Sequence, residues 1–210
     1  FMNVFDKPIV MIDFETTGLS PDMGDRITEV AALRIEGGRI TDRYVTLINC
    51  NARIPSFITG LTGITQAMVD KAPPVAEVVP QLLDFIGSDA LSAHNASFDE
   101  KFLRAESARL NLAPAHQSLV CSLKLSRRVF PGLSSYKLGL LSSQLGIAFK
   151  SAAHRAESDA EVAAQVLIHI GRHLRSSYGI ADVDADLLVS LNKLAAAKVP
   201  QFLQKHPSRR

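Results

Sequence analysis

The sequence predicts an α/β domain built on a mixed sheet, and three observations predict it. The chain has 210 residues, enough to bury one substantial core and short for two. Its beginning reads as three strands in meander, over residues 8–15, 27–35 and 40–48. Helical and strand-like segments then alternate, which is the order of an α/β layer arrangement. Composition agrees, with hydrophobic residues at 47% and charged residues at 21% of the chain, the proportions of a globular protein.

Each element has its own signal. Residues 8–15 are a buried apolar strand. Residues 27–35 (ITEVAALRI) and 40–48 (ITDRYVTLI) are two more, and Glu36-Gly37-Gly38 between them is a hairpin turn. Pro and Gly punctuate residues 54–70, so short helices and turns are expected there. Val75, Val78, Val79, Leu82, Leu83 and Ile86 recur at helical spacing across 74–87. The stretch ALSA at 90–93 is a short strand. Residues 98–110 are helical, with Ser97 and Glu100 in a capping-box pattern. A fifth strand is expected at 118–122, then helices at about 122–129, 136–145 and 157–174. From residue 176 the chain changes character. Leu187, Leu188, Leu191, Leu194 and Ala195 form one further amphipathic helix, which Val199-Pro200 breaks, and Lys205 to Arg210 is a polar, fraying end. The sequence contains no internal repeat and no low-complexity block.

The bulk properties exclude several classes of function. A net charge of +2 gives no global basic field, so any nucleic-acid contact must be a local patch. Cys50 and Cys121 are far apart and match no metal or redox spacing, as expected for reduced, buried thiols of a cytoplasmic protein. No apolar run approaches the ~18 residues of a membrane span, and no signal-peptide pattern opens the chain, so no membrane contact is expected. Phe1 stands before Met2, as expected of a residue added in expression, and is left out of the predicted fold.

Chemistry enters with acids in places that packing does not choose. Asp13 and Glu15 are two apart on a strand, so both point to one face and Phe14 to the other. Two adjacent carboxylates repel, and each costs desolvation when buried. A hard divalent cation would remove both penalties; alternatively the strand ends at Ile12 and the acids sit in a solvated loop. Asp99, in AHNASFDEKFL, falls in the first turn of a helix and shares the face of Phe102 and Leu103. It could merely complement the helix dipole, although Glu100 already supplies that charge. Asp159 lies on the Ala156, Ala160, Ala163, Ala164 and Leu167 face of a helix built to approach a sheet closely. His154 precedes it by five residues; a lone histidine is ordinarily a hydrogen-bonded structural residue.

Taken in order, these segments resemble the DEDDh 3′–5′ exonucleases of the ribonuclease H-like superfamily. The first motif is Asp13-Phe14-Glu15-Thr16-Thr17-Gly18, the second His94-Asn95-Ala96-Ser97-Phe98-Asp99, and the third His154-Arg155-Ala156-Glu157-Ser158-Asp159-Ala160. LTGITQAMV at 61–69 and SSYKLGLLSSQLGI at 134–147 are similar to the family as well. The resemblance spans roughly residues 8–174 and is nearest to the epsilon-like proofreading exonucleases of bacterial DNA polymerase III; oligoribonuclease and ribonuclease T share the motifs.

The resemblance implies a ribonuclease H-like fold, a five-stranded mixed sheet with an antiparallel second strand and flanking helices. It implies an exonuclease domain over 1–175; residues 176–210 lie outside the resemblance, and their own pattern predicts a C-terminal helix and basic tail packed on the domain or extending from it. It implies two divalent ions, Mg²⁺ or Mn²⁺, held by Asp13, Glu15, Asp99 and Asp159. Asp13 would bridge both ions, Glu15 and Asp159 would complete the site for the attacking water, and Asp99 would support the leaving-group side. His154 would be the general base, a task that suits an imidazole with an ordinary pKa near ~6.5. The products would be a nucleoside 5′-monophosphate and a strand shorter by one.

Substrate contacts implied by motif position are Phe14, Thr16, Thr17, Leu19, His94 and Phe98. Backbone groups around Phe14 to Thr17 would meet the terminal nucleotide, Thr16 would bond its 3′-OH, and Leu19 and Phe98 would pack on bases. Phe98 has an equal claim to a place in the helix–sheet core. Arg127, Arg128, Lys137 and Arg155 are candidate phosphate guides, against a background of solvated surface charge. QLGIAF at 144–149 faintly resembles a sliding-clamp peptide but falls inside the expected domain. The expected partners are nucleic-acid 3′ ends, DNA ahead of RNA, and a DNA polymerase. The alternatives are an RNA or oligoribonucleotide exonuclease and a polymerase-associated subunit that docks through 187–210.

Overall fold

A computed structural model describes residues 4–206. A five-stranded sheet contains β1 (Ile9–Thr16), β2 (Ile27–Glu36), β3 (Arg39–Leu47), β4 (Ala90–Ala93) and β5 (Leu119–Cys121). The strands lie in the order β3-β2-β1-β4-β5. β2 is antiparallel to both of its neighbours, while β1, β4 and β5 run parallel. Gly37 and Gly38 close the β2–β3 hairpin with φ of 63° and 79°. A two-residue turn that follows the twist of its strands requires such positive φ values.

Strand parity sorts the core. Val10, Ile12 and Phe14 face one side, where they pack with Phe102 and Leu103 of α4 (Ala96–Arg109) and with α3 (Val75–Ile86). Ile9 and Met11 face the other, under α7 (Ala156–Tyr178). Asp13 and Glu15 continue this second row, so they emerge on the α7 side at the carboxyl end of β1. Ala156 and Ala160 pack on Ala31 and Leu33. Their small side chains bring the start of α7 close to the sheet.

The short helices α1 (Ser56–Thr62) and α2 (Gln66–Asp70) cover a satellite cluster of Cys50, Ile54, Ile64 and Val69. Helices α5 (Ser122–Val129) and α6 (Leu138–Gln144) join β5 to α7. Beyond α6, Leu145 and Ile147 of the QLGIAF stretch pack against the core. The chain closes with α8 (Ala185–Lys193), a 3-10 turn over Ala196–Lys198, and α9 (Val199–Lys205).

Several boundaries differ from the sequence expectations, each for a physical reason. α4 starts at Ala96, not at a Ser97 cap. Asn95 precedes it in the left-handed region, φ 84° and ψ 62°, a conformation Asn tolerates. The chain turns this abruptly because Ala96 is buried and its N–H reaches Cys121 Sγ at 3.5 Å. α7 runs past the expected boundary at 175 and stops at Gly179, whose φ is 65°.

In the tail, the helix ends at Lys193 rather than at Val199-Pro200. Leu194 is extended, and its carbonyl accepts the Arg128 Nε–H at 2.9 Å. Val199-Pro200 opens α9 instead, since proline suits a first helical turn where no N–H partner is needed. Leu187, Leu188, Leu191, Val199 and Leu203 enter the same core cluster as α7. Asn192 closes the β5 edge like another strand: its Oδ1 accepts the Cys121 N–H at 2.9 Å and its Nδ2 donates to the Cys121 carbonyl at 3.2 Å. The expected fraying end falls mostly on 207–210, outside the described residues; Lys205 is the last residue of α9.

Candidate active site

The fold gathers the acids of all three motifs. One carboxylate oxygen each of Asp13, Glu15 and Asp159 lies within 4.8 Å of the others. Asp99 joins them from the α4 side, buried at 4% exposure, and its Oδ1 accepts the Phe14 N–H at 3.2 Å. Asp13 Oδ2 is cut off from solvent and has no hydrogen-bond donor among the described residues. An orphaned carboxylate oxygen inside a ring of acids is the environment that a cation satisfies. The donor set is all oxygen, which fits Mg²⁺ or Mn²⁺ and not a soft metal.

The electrostatics are those of a crowded anion site. Burial first, then Asp99, Glu15, Asp159 and Glu29, push the Asp13 carboxyl well above its ordinary range. Glu15 is pushed up to about 8 by burial and by Asp159, Glu29 and Asp99, with Arg155 opposing. Asp99 is pushed up to about 8 by burial, against hydrogen bonds from backbone N–H groups. Asp159 is raised by burial, while the His154 N–H that it accepts opposes. Without a cation, such carboxyls hold protons near neutrality; with one, they ionise and bind it.

His154 lies exposed at the other side of Asp159. Its N–H donates to Asp159 Oδ1 at 3.2 Å, and its φ is 62°. A cleft of about 750 Å³ runs from His154 and Asp159 past His94, Asn95 and Phe149 to Arg127, Ser134 and Lys137. An exposed imidazole beside an acid cluster can accept a proton from a water held there.

The expected substrate residues divide. Leu19 is 78% exposed on the turn leaving β1. Phe98 is half-buried and packs against Phe102 with ring centres 5.0 Å apart and planes tilted by 53°, so its ring serves the core and stays partly accessible. The other four are more committed than expected. Phe14 is 5% exposed in the core and its N–H is taken by Asp99. Thr17 is 4% exposed; its hydroxyl donates to Asp25 Oδ1 at 3.0 Å and its N–H to the Arg26 carbonyl. The Thr16 hydroxyl donates to the Gly18 carbonyl at 2.7 Å, keeping only its lone pairs for a ligand.

His94 faces the cleft but has both ring nitrogens occupied. Nε2 lies 2.8 Å from the Tyr136 carbonyl and Nδ1 lies 2.9 Å from the Ser122 hydroxyl. A carbonyl only accepts, so Nε2 carries the hydrogen. Burial lowers the His94 pKa, which keeps the ring neutral. His94 therefore ties the 131–137 loop to α5 and leaves no nitrogen for a nucleotide.

Of the four candidate phosphate guides, Arg127 and Lys137 line the cleft. Arg128 is turned to the Leu194 and Lys124 carbonyls. Arg155 is bound to Glu29, a residue missed at the sequence level. Glu29 stands directly across the sheet from Glu15 and is 4% exposed. In the sequence it shows only as one acid inside the apolar run ITEVAAL, with nothing to mark Arg155 as its partner. Asp25 was missed too. It accepts from Thr17 and from the Ser20 N–H, and a Cβ at Gly18 would overlap its carboxylate. Gly18 is thus fixed by the turn that presents Leu19.

Comparison with known proteins gives the following. Residues 10–167 match the family described as Exonuclease (RNase_T). The chain is 36% identical over 180 residues to the DNA polymerase III subunit epsilon of Aquifex aeolicus, covering 86% of this chain and 88% of that one. It is 40% identical over 166 residues to the 3′-5′ exonuclease DinG of Bacillus subtilis, covering 79% of this chain and 18% of that protein. The PolC-type DNA polymerase III of Clostridium perfringens is 34% identical over 200 residues, and this chain spans 13% of its length. Among solved structures, exonuclease X in complex with 5′ overhanging duplex DNA superimposes with a TM-score of 0.68 at 26% identity, covering 88% of this chain and 99% of that one. The nuclease domain of 3′hExo, a DEDDh family member bound to rAMP, has a TM-score of 0.70 at 22% identity over 83% of this chain and 94% of that one, and shares the fold.

Proposed function

The chain belongs to the exonuclease family, and from that premise we propose that it releases nucleoside 5′-monophosphates one at a time from the 3′ end of DNA, in proofreading or repair. The coarser activity comes with the family: it is a 3′–5′ exonuclease of the DEDDh type, a hydrolase that depends on a divalent metal. The observation that carries the finer reading is the acid cluster with its orphaned Asp13 Oδ2, beside the exposed His154.

The proposed cofactor is two ions of Mg²⁺ or Mn²⁺. Asp13, Glu15 and Asp159, with Asp99 beside them, would hold these ions. Bound there, divalent ions neutralise the crowded carboxylates and polarise the scissile phosphate. His154 takes the proton from the attacking water. Leu19 and the accessible part of Phe98 receive terminal bases, and the Thr16 hydroxyl oxygen accepts from the 3′-OH. Arg127 and Lys137 attract the strand's phosphates along the cleft. Phe14, Thr17 and His94 shape this site without hydrogen-bonding the nucleotide. DNA is favoured because one relative is named as a DNA polymerase III subunit and the exonuclease X structure holds duplex DNA. A DNA polymerase is the proposed partner on the same ground.

A panel of DNA and RNA strands of matched sequence, each labelled at either end, tests the reading. Shortening of 5′-labelled DNA in single-nucleotide steps, abolished by EDTA, is expected. A strong preference for short RNA would move the substrate to oligoribonucleotides.

A further inference from the structure

Glu29, itself buried, forms a partly exposed ion pair with Arg155 that joins β2 to the start of α7. Arg155 Nε donates to Glu29 Oε1 at 3.0 Å and Nη2 donates to Oε2 at 2.7 Å. This is the two-pronged geometry that a guanidinium makes and an ammonium cannot. Glu29 Oε1 also accepts the Ala156 N–H at 2.9 Å. Arg155, at the N-cap position of α7, caps none of the helix N–H groups with its own side chain. A helix start leaves such N–H groups without partners, and here a carboxylate from another strand satisfies one of them.

The location of the pair gives it a consequence. Glu29 faces Glu15 across the sheet, and like charges directly opposite are unfavourable. A carboxylate in that position weakens the fold unless something binds it firmly. Arg155 binds it, and Arg155 is the residue next to His154. His154 has φ at 62°, a region costly for a side chain with a Cβ, and its side chain is exposed. Two bonds at its flanks hold it in that conformation: its own N–H to Asp159, and the Arg155–Glu29 fork one residue on. Glu29 is not among the acids close enough to share a cation. Its oxygens are already engaged with three N–H donors.

We propose that Glu29 and Arg155 are positioning residues for the exonuclease reaction: the pair holds the His154 backbone in its left-handed conformation and so fixes the imidazole at the cleft beside Asp159. The proposal rests on the reading of His154 as general base. Its hallmark is an effect on turnover that passes through His154 and leaves substrate affinity in place.

The experiment measures kcat and KM on a 5′-labelled DNA strand for wild type, Glu29→Gln, His154→Ala and the double variant, with Mn²⁺ affinity measured by electron paramagnetic resonance. Glu29→Gln keeps a hydrogen-bond acceptor for Ala156 and removes the charge that holds Arg155. The expected result is a kcat lower by at least about tenfold, KM and Mn²⁺ affinity within about threefold of wild type, and no further loss when Glu29→Gln is added to His154→Ala. Amide hydrogen exchange at residues 153–156 should quicken in Glu29→Gln. Wild-type kcat in Glu29→Gln, or losses that multiply in the double variant, would overturn the clamp. A His154→Ala enzyme with full activity would instead overturn the general-base reading, which keeps the two failures apart. If Glu29→Gln does not fold, Arg155→Met, altering a side chain that is 38% exposed, carries the same expectations and is judged by the same outcomes.

Discussion

Asp13 and Glu15 continue the row that Ile9 and Met11 begin, so the strand that builds the core also delivers the acids. Period-two alternation made this legible in the sequence, because it needs only the spacing of residues on one strand. Asp99 and Asp159 were legible through helical spacing and the family motifs. Glu29, Asp25 and the commitments of His94 were not, because each depends on a partner distant in sequence: Arg155 for Glu29, Thr17 and Ser20 for Asp25, Ser122 and Tyr136 for His94. Spacing cannot report which of two equally polar side chains turns inward to meet such a partner. His154 is the residue whose role is most sharply testable. Its side chain is exposed and it bonds Asp159 only through its backbone N–H, so His154→Ala should leave the acid cluster intact. The rate of nucleotide release should fall by about 10²–10⁴-fold, the usual contribution of a positioned acid or base, with Mn²⁺ affinity little changed. A collapse of metal affinity in that variant would make His154 a ligand instead.

At the scale of elements, the strands and the helices between them stood out because periodicity is a local property. Helix ends were less legible, since tertiary bonds decided them. Ala96 and Cys121 set the start of α4, and Arg128 with Leu194 set the end of α8. The tail is the clearest case. A basic, leucine-bearing end suggested either a docked helix or a partner-binding one, and the residues alone left both open. In the structure α8 and α9 lie in the core cluster with α7, and Asn192 completes the β5 edge. β5 in turn leads into α5, which sets Ser122 against the His94 ring and carries Arg127 to the cleft. Leu188 is fully buried in this cluster. Leu188→Ala should therefore cost about 2–5 kcal/mol of stability, the range for emptying a packed core position, read as a lower urea midpoint. A change below about 0.5 kcal/mol would mean that the tail is dispensable to the fold.

For the whole molecule, the net charge of +2 conceals a strongly uneven distribution. Four acids and Glu29 converge at one end of the sheet, while Arg127 and Lys137 stand along the cleft leading to it. That arrangement makes stability depend on pH and on metal together. Glu15 and Asp99 are pushed up to about 8 in the fold, while carboxyls of an unfolded chain titrate near ~4. Between those values the folded protein binds more protons than the unfolded chain, so its stability falls as pH rises. Metal-free protein should therefore melt at progressively lower temperature from about pH 5 to pH 8.5, and Mg²⁺ or Mn²⁺ should restore most at the alkaline end. A metal-free melting temperature that rises over that range would contradict the crowding of the acids. No helix of the described residues is long and apolar enough to cross a membrane. The account as a whole turns on Asp13, whose Oδ2 has no hydrogen-bond partner among the described residues. Its most direct test is the Asp13→Asn enzyme on a 5′-labelled single DNA strand with Mn²⁺. The account predicts that stepwise shortening from the 3′ end is lost while the substituted protein stays folded and melts no lower than metal-free wild type. Wild-type shortening by Asp13→Asn would contradict it.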